Sequence, residues 1–149
     1  MGDVSDGGGA NGGADGTDAT GGAGEPQALP LDGDVLMYTG ATASVAPERL
    51  APLLREVQSH LDPQFEAYAR SYERAHADEE RAVFLVPDGH WTDVGSELGL
   101  PEREVDAVRR AHAQQLRRIG TRTDRREELE TALEIREAVV VGRRSSVCD

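Results

Sequence analysis

The sequence predicts a mainly α-helical fold, a small domain of about four to five helices behind a disordered N-terminal tail. Three observations predict it. Apolar residues recur at spacings of three and four in successive segments between residues 47 and 133, and proline or capping residues open most of those segments. The first 25 residues hold ten of the chain's 17 glycines and almost no apolar side chain. Such a stretch cannot bury enough surface to offset its ordering entropy.

At 149 residues the chain has room for one domain. Residues 1–28 read as a Gly/Asp-rich acidic tail, 29–142 as the helical domain, and 143–149 as a flexible C-terminus. The tail lacks the basic start and apolar centre of a signal peptide, and no apolar run approaches the length of a membrane span. Cys148 is the only cysteine, which excludes a disulfide framework or a thiolate metal cluster. A cytoplasmic protein with no membrane partner is expected.

The elements follow in order. In Gln27 to Ser44 the apolar run Val35 to Tyr38 reads as either a strand or an anchoring arm. Pro47 opens a helix whose stripe is Leu50, Leu53, Leu54, Val57 and Leu61. Asp62-Pro63 breaks it and starts a second helix, with Phe65, Tyr68, Ala69 and Tyr72 on one face, running to about Ala77. The run Ala82 to Val86 is continuously apolar, so it reads as a buried strand or a helix end. Pro87-Asp88-Gly89 is a turn, and Thr92 is the expected cap of the helix that follows. A long helix spans Pro101 to Ile119 and ends at Gly120. A last segment starts at Asp124, where D-x-x-E matches a capping box, and closes at Gly142. It reads as helix, with strand left open for residues 137–141.

The stretch WTDVGSELGLPEREVDAVRRAH carries the functional argument. Two helices that cross closely need a small residue in the first, a residue tolerant of positive φ in the turn, and apolar facing sides. Gly95 lies between Val94 and Leu98, Gly99 occupies the turn, and Val105 and Val108 supply the inner face of the second helix. With these residues Trp91 to Ile119 resembles the helix-turn-helix family. That resemblance implies a second helix lying in the major groove of duplex DNA, in a homodimer that reads paired half-sites.

The basic residues are distributed unevenly. All 16 are arginine, against 28 Asp and Glu, and the net charge is -12. Between Pro101 and Arg126, however, eight arginines meet only four acids. Arg103, Arg110 and Arg117 are spaced by seven on the face opposite Val105, Val108, His112, Leu116 and Ile119. Arginine binds phosphates and guanine edges in bidentate fashion. The DNA reading therefore places Arg103, Asp106, Ala107, Arg110 and Gln114 toward the groove, and Arg117, Arg118, Arg122, Arg125 and Arg126 on phosphates. Glu102, Glu104 and Asp106 count against it, since they sit where the helix would enter the groove. In the alternative reading the arginines pair with acids, and the chain is a helical protein–protein interaction module. There the helix Pro47 to Leu61 or the final segment supplies the partner surface.

An enzyme, a cofactor and a metal site are not expected. The four histidines never fall at helical ligand spacing with each other, and the absence of lysine excludes a Walker-type phosphate loop. The absence of lysine with excess acid resembles proteins of salt-in haloarchaea. The segments RRAHAQQLRRIG and ALEIREAVVVG resemble those of a small uncharacterised haloarchaeal family. This resemblance implies an acidity adapted to solvent, and no activity.

Overall fold

The computed structural model describes residues 29–143. The tail expected at 1–28, and all but Arg143 of the C-terminus expected at 143–149, lie outside the described residues. The elements are α1 (Gly33–Thr42), α2 (Pro47–Leu61), a 3-10 turn (Asp62–Gln64), α3 (Phe65–Ser71), β1 (Glu73–Ala77), β2 (Arg81–Pro87), α4 (His90–Leu98), α5 (Glu102–Arg122), α6 (Arg126–Leu133) and β3 (Arg136–Gly142). The strands form an antiparallel sheet in the order β1-β2-β3. The fold is therefore α+β, which corrects the mainly α expectation.

Each departure has a local cause. The helix expected to reach Ala77 stops at Ser71, where Tyr72 turns extended. Asp78 Oδ1 accepts the N–H groups of Glu80 and Arg81, folding the chain into the β1–β2 hairpin. Only Ala75 of β1 is buried, so that strand carries no apolar alternation for a sequence reading to find. In β2 all six residues from Arg81 to Val86 are buried, because both faces of this central strand are covered. Phe65 meets Phe84 edge to face at 5.7 Å on one of those faces. The helix expected from Asp124 onward ends at Leu133, and the β-branched run Val139 to Val141 joins the sheet beside β2. Residues 35–38, read as strand or arm, are helical, with Val35 and Thr39 buried one turn apart.

α2 matches its expected stripe, with Leu50, Leu53, Leu54, Val57 and Leu61 all buried. α4 starts two residues before the expected cap Thr92, after Gly89 at φ 97, and Thr92 is exposed. It ends at Gly99, whose φ of 70 lets Leu100 N–H bond back to Gly95 O at 2.9 Å. A Cβ on Gly95 would lie 2.3 Å from Val105 Cγ2, so only glycine admits this crossing of α4 and α5. α5 runs past Gly120 to Arg122, and Gly120 lets Arg126 approach closely.

The outer edge of β3 is closed by side chains rather than by another strand. Val140 N–H donates to His112 Nδ1 at 2.9 Å, and Gln58 Nε2 donates to Val140 O at 2.7 Å. Gly142 N–H bonds Gln58 Oε1, and Trp91 Nε1 donates to Ala138 O. Three helices thus satisfy an edge that would otherwise template pairing with another chain. Because Nδ1 accepts, His112 is neutral with its proton on Nε2, and full burial pushes its pKa down to about 3. The ring lies against Trp91, with centroids 4.6 Å apart.

Candidate nucleic-acid interface

The arginine-rich segment is α5 and its continuation into α6. Val105, Val108, His112, Leu116 and Ile119 are buried as the stripe requires, but the buried arc is wider than expected. Ala107, Ala111 and Gln115 are also fully buried, because α1 packs along that flank. Ala107 therefore cannot face a groove, which corrects its placement among base-reading residues. The arc left to solvent holds Arg103, Asp106, Arg110, Ala113, Gln114, Arg117 and Thr121.

The carboxylates around this arc decide its character. Asp106 sits between Arg109 and Arg110, with Arg110 Nε 2.7 Å from its carboxylate. Arg110 also donates to Thr42 O at the end of α1. Arg117 reaches Glu130 of α6 at 3.2 Å, and Arg126 approaches the same carboxylate at 3.7 Å. Arg125 binds Glu128 at 2.8 Å and donates to Ala75 O in β1 at 2.7 Å. Arg103 is exposed, and among the described residues no ion pair forms at its guanidinium; its charge helps hold Glu104 below the usual range. The stronger influence on Glu104 is Arg49, which binds it through two hydrogen bonds of 3.1 and 3.0 Å.

Asp32 is the densest junction. Its carboxylate receives Arg118 Nε at 2.9 Å, Arg122 Nη1 at 3.3 Å, Arg81 Nη2 at 3.3 Å and Gln115 Nε2 at 3.2 Å. Its own N–H donates to Gln115 Oε1 at 2.8 Å. Arg118 also pairs with Asp34. Partial burial pushes the Asp32 carboxyl up. The hydrogen bonds from Gln115 and Arg118 and the charges of Arg81 and Arg122 outweigh that and hold it below the usual carboxylate range. Arg81 is itself 5 % exposed, so Asp32 compensates a buried cation as well as two on the surface. Sequence reasoning missed Asp32, since nothing near LPLDGD signals partners 49 to 90 positions away.

The structure thus brings Arg110 and Arg117 onto one solvent-facing arc with Arg103, and ties Arg118 and Arg122 to Asp32 and Arg125 to β1 as clamps between elements. Among the described residues no cluster of three or more His, Cys, Asp or Glu is placed to hold a metal ion. None of the described helices is long and apolar enough to cross a membrane.

Residues 29–143 match a family described as a domain of unknown function (DUF8048), and the chain belongs to it. No curated protein and no solved structure matches the chain.

Proposed function

We propose that this DUF8048 chain is a non-catalytic, cytoplasmic protein-interaction module in which the α4–α5 unit is a packing device. The observation that carries this reading is the state of the basic segment. Seven of its eight arginines form ion pairs with the chain's own carboxylates, four of which, Asp32, Asp34, Glu128 and Glu130, lie outside α5. A DNA backbone would have to share those guanidinium groups with carboxylates already bound to them. The helix end that would enter the groove carries Glu102 and Glu104, the latter tied to α2 through Arg49.

The partner surface is not the one expected from sequence. The apolar stripe of α2 is buried, and so is the core of β3. Among the described residues the large apolar side chains left outside are Met37 (75 % exposed) and Tyr38 (50 %) on α1, and Ile135 (72 %) before β3. Adjacent apolar residues on one exposed helix surface suit a protein partner. A second copy of the chain is the first partner to test. Light scattering on a purified sample should find a dimer that Met37→Asp with Tyr38→Asp converts to monomer. A monomer at all concentrations, with no heterologous partner lost on the same substitution, would contradict the reading.

A second reading, duplex DNA as ligand of a dimeric regulator, is favoured by one observation: Arg103, Arg110, Gln114 and Arg117 share the open arc of α5. Exposed ion pairs are worth only about 0–1 kcal/mol each, so they do not by themselves forbid phosphate contacts.

A further inference from the structure

An open cleft of about 460 Å³ lies where the flank of α5 faces the N-terminus of α4 and the junction of α6 with β3. That volume falls within the range of small-molecule sites, roughly 300–1,000 Å³. Four arginines line it: Arg109, Arg110 and Arg117 from α5, and Arg136 from the start of β3. Two acids, Asp88 and Glu137, line it as well. Glu137 is committed to the backbone, accepting the N–H groups of Gly89 at 3.2 Å and Trp91 at 2.9 Å, and it fixes the α4 end of the cleft. The carboxylates that pair with the four arginines, Asp106, Glu130 and Glu73, are not part of the cleft wall.

The donors in this cleft outnumber their acceptors. Each guanidinium has five N–H groups, and each of these four spends only one or two of them on a protein partner. Arg136 Nε is buried and, among the described residues, has no hydrogen-bond partner. Such a buried donor costs free energy that an anionic acceptor would recover. Four arginines face two acids on the wall, and because Asp106, Glu130 and Glu73 pair with those arginines from outside it, what the cleft offers an anion is spare guanidinium N–H groups. Ala113, Ala138 and Leu133 add an apolar wall beside the arginines.

We propose that this cleft binds a small organic phosphate, with the phosphate on the arginines and the carbon body against Ala113 and Leu133. The site stands apart from the partner surface on α1, so either proposal can fail without the other.

Calorimetry with phenyl phosphate and with inorganic phosphate as probes tests it on the full chain. Phenyl phosphate should bind saturably at one site and more tightly than inorganic phosphate. Arg109→Gln with Arg136→Gln should weaken it by about tenfold or more, the usual consequence of losing charge-assisted hydrogen bonds. Ala113→Phe fills the cleft without touching any charge and should weaken binding to a similar degree. Arg55→Gln, which removes a positive charge from the exposed side of α2 without touching the cleft, should leave it unchanged. Absence of saturable binding overturns the proposal. So does binding that Ala113→Phe leaves intact, a loss equally produced by Arg55→Gln, or an affinity for inorganic phosphate that matches phenyl phosphate.

Discussion

The two sides of α5 are built from different physics. The inward side holds Ala107, Ala111, His112, Gln115 and Leu116, each fully buried. The outward side holds Arg103, Asp106, Arg110, Gln114 and Arg117, partly or largely in solvent, with Arg110 paired to Asp106 and Arg117 to Glu130 of α6. Asp32 stands at the boundary, where carboxylate–arginine contacts become partly buried and begin to act as structure. The difference teaches that an arginine row on one helix is not one functional unit. Arg118 and Arg122 belong to the boundary, whereas Arg103, Arg110 and Arg117 belong to the surface.

His112 gives the sharpest way to break this comparison. An unfolded histidine titrates near 6.5, and the folded His112 near 3. Below pH 6.5 the unfolded chain therefore binds a proton that the folded chain refuses. Stability is full above that value and falls as the pH drops toward 3, by up to roughly 1.4 kcal/mol per pH unit from this residue alone. His112→Gln keeps an acceptor for Val140 N–H and removes the titration. Urea unfolding across this window should lose much of its pH slope in the variant, and an unchanged slope would mean that His112 is not held neutral.

The next effect is steric. Gly95→Ala sets a Cβ against the stiff, β-branched Val105 and should destabilise by about 2 kcal/mol, despite alanine's better helix propensity. Val105→Ala in the same chain should recover part of that loss. Additive effects of the two substitutions would show that the crossing is looser than the structure has it.

Asp32→Asn comes third, at about 1–2 kcal/mol, since asparagine keeps one acceptor oxygen but leaves Arg81, Arg118 and Arg122 without their shared charge. The sign with pH follows from its lowered pKa. The contribution is present above the unfolded value of 3.8 and is lost as the pH falls through the folded one. The same substitution in a chain that already carries Arg118→Gln should cost less. Equal cost in both backgrounds would remove Asp32 from the account of the boundary.

Legibility in the sequence followed the range of the contacts. The α4–α5 crossing could be read because Gly95, Gly99, Val105 and Val108 lie within fourteen residues and their spacing is itself the signal. The stripe of α2 was legible for the same reason. The sheet was not, because β1 buries one residue and β2 is apolar without a break from Ala82 to Val86, so neither shows a period of two. Ala107 was misplaced because α1, the element that covers it, read as a strand or an arm. The clamps on Arg118 and Arg122 depend on a residue 86 and 90 positions away, which no local pattern encodes.

The central claim is that the arginines of α5 serve the fold and the surface of the protein itself, and not a nucleic acid. Arg110→Glu with Arg117→Glu should cost no more than about 2 kcal/mol, since each breaks one exposed ion pair worth about 0–1 kcal/mol. The folded variant can then be compared directly with the wild type. The decisive measurement is retention of both proteins on genomic DNA in a KCl series from about 0.1 M to molar, since any phosphate contact is strongest at low salt. The account predicts that neither protein is retained at any step. Retention of the wild type that the double substitution abolishes would contradict it and establish the open arc as a DNA-binding face.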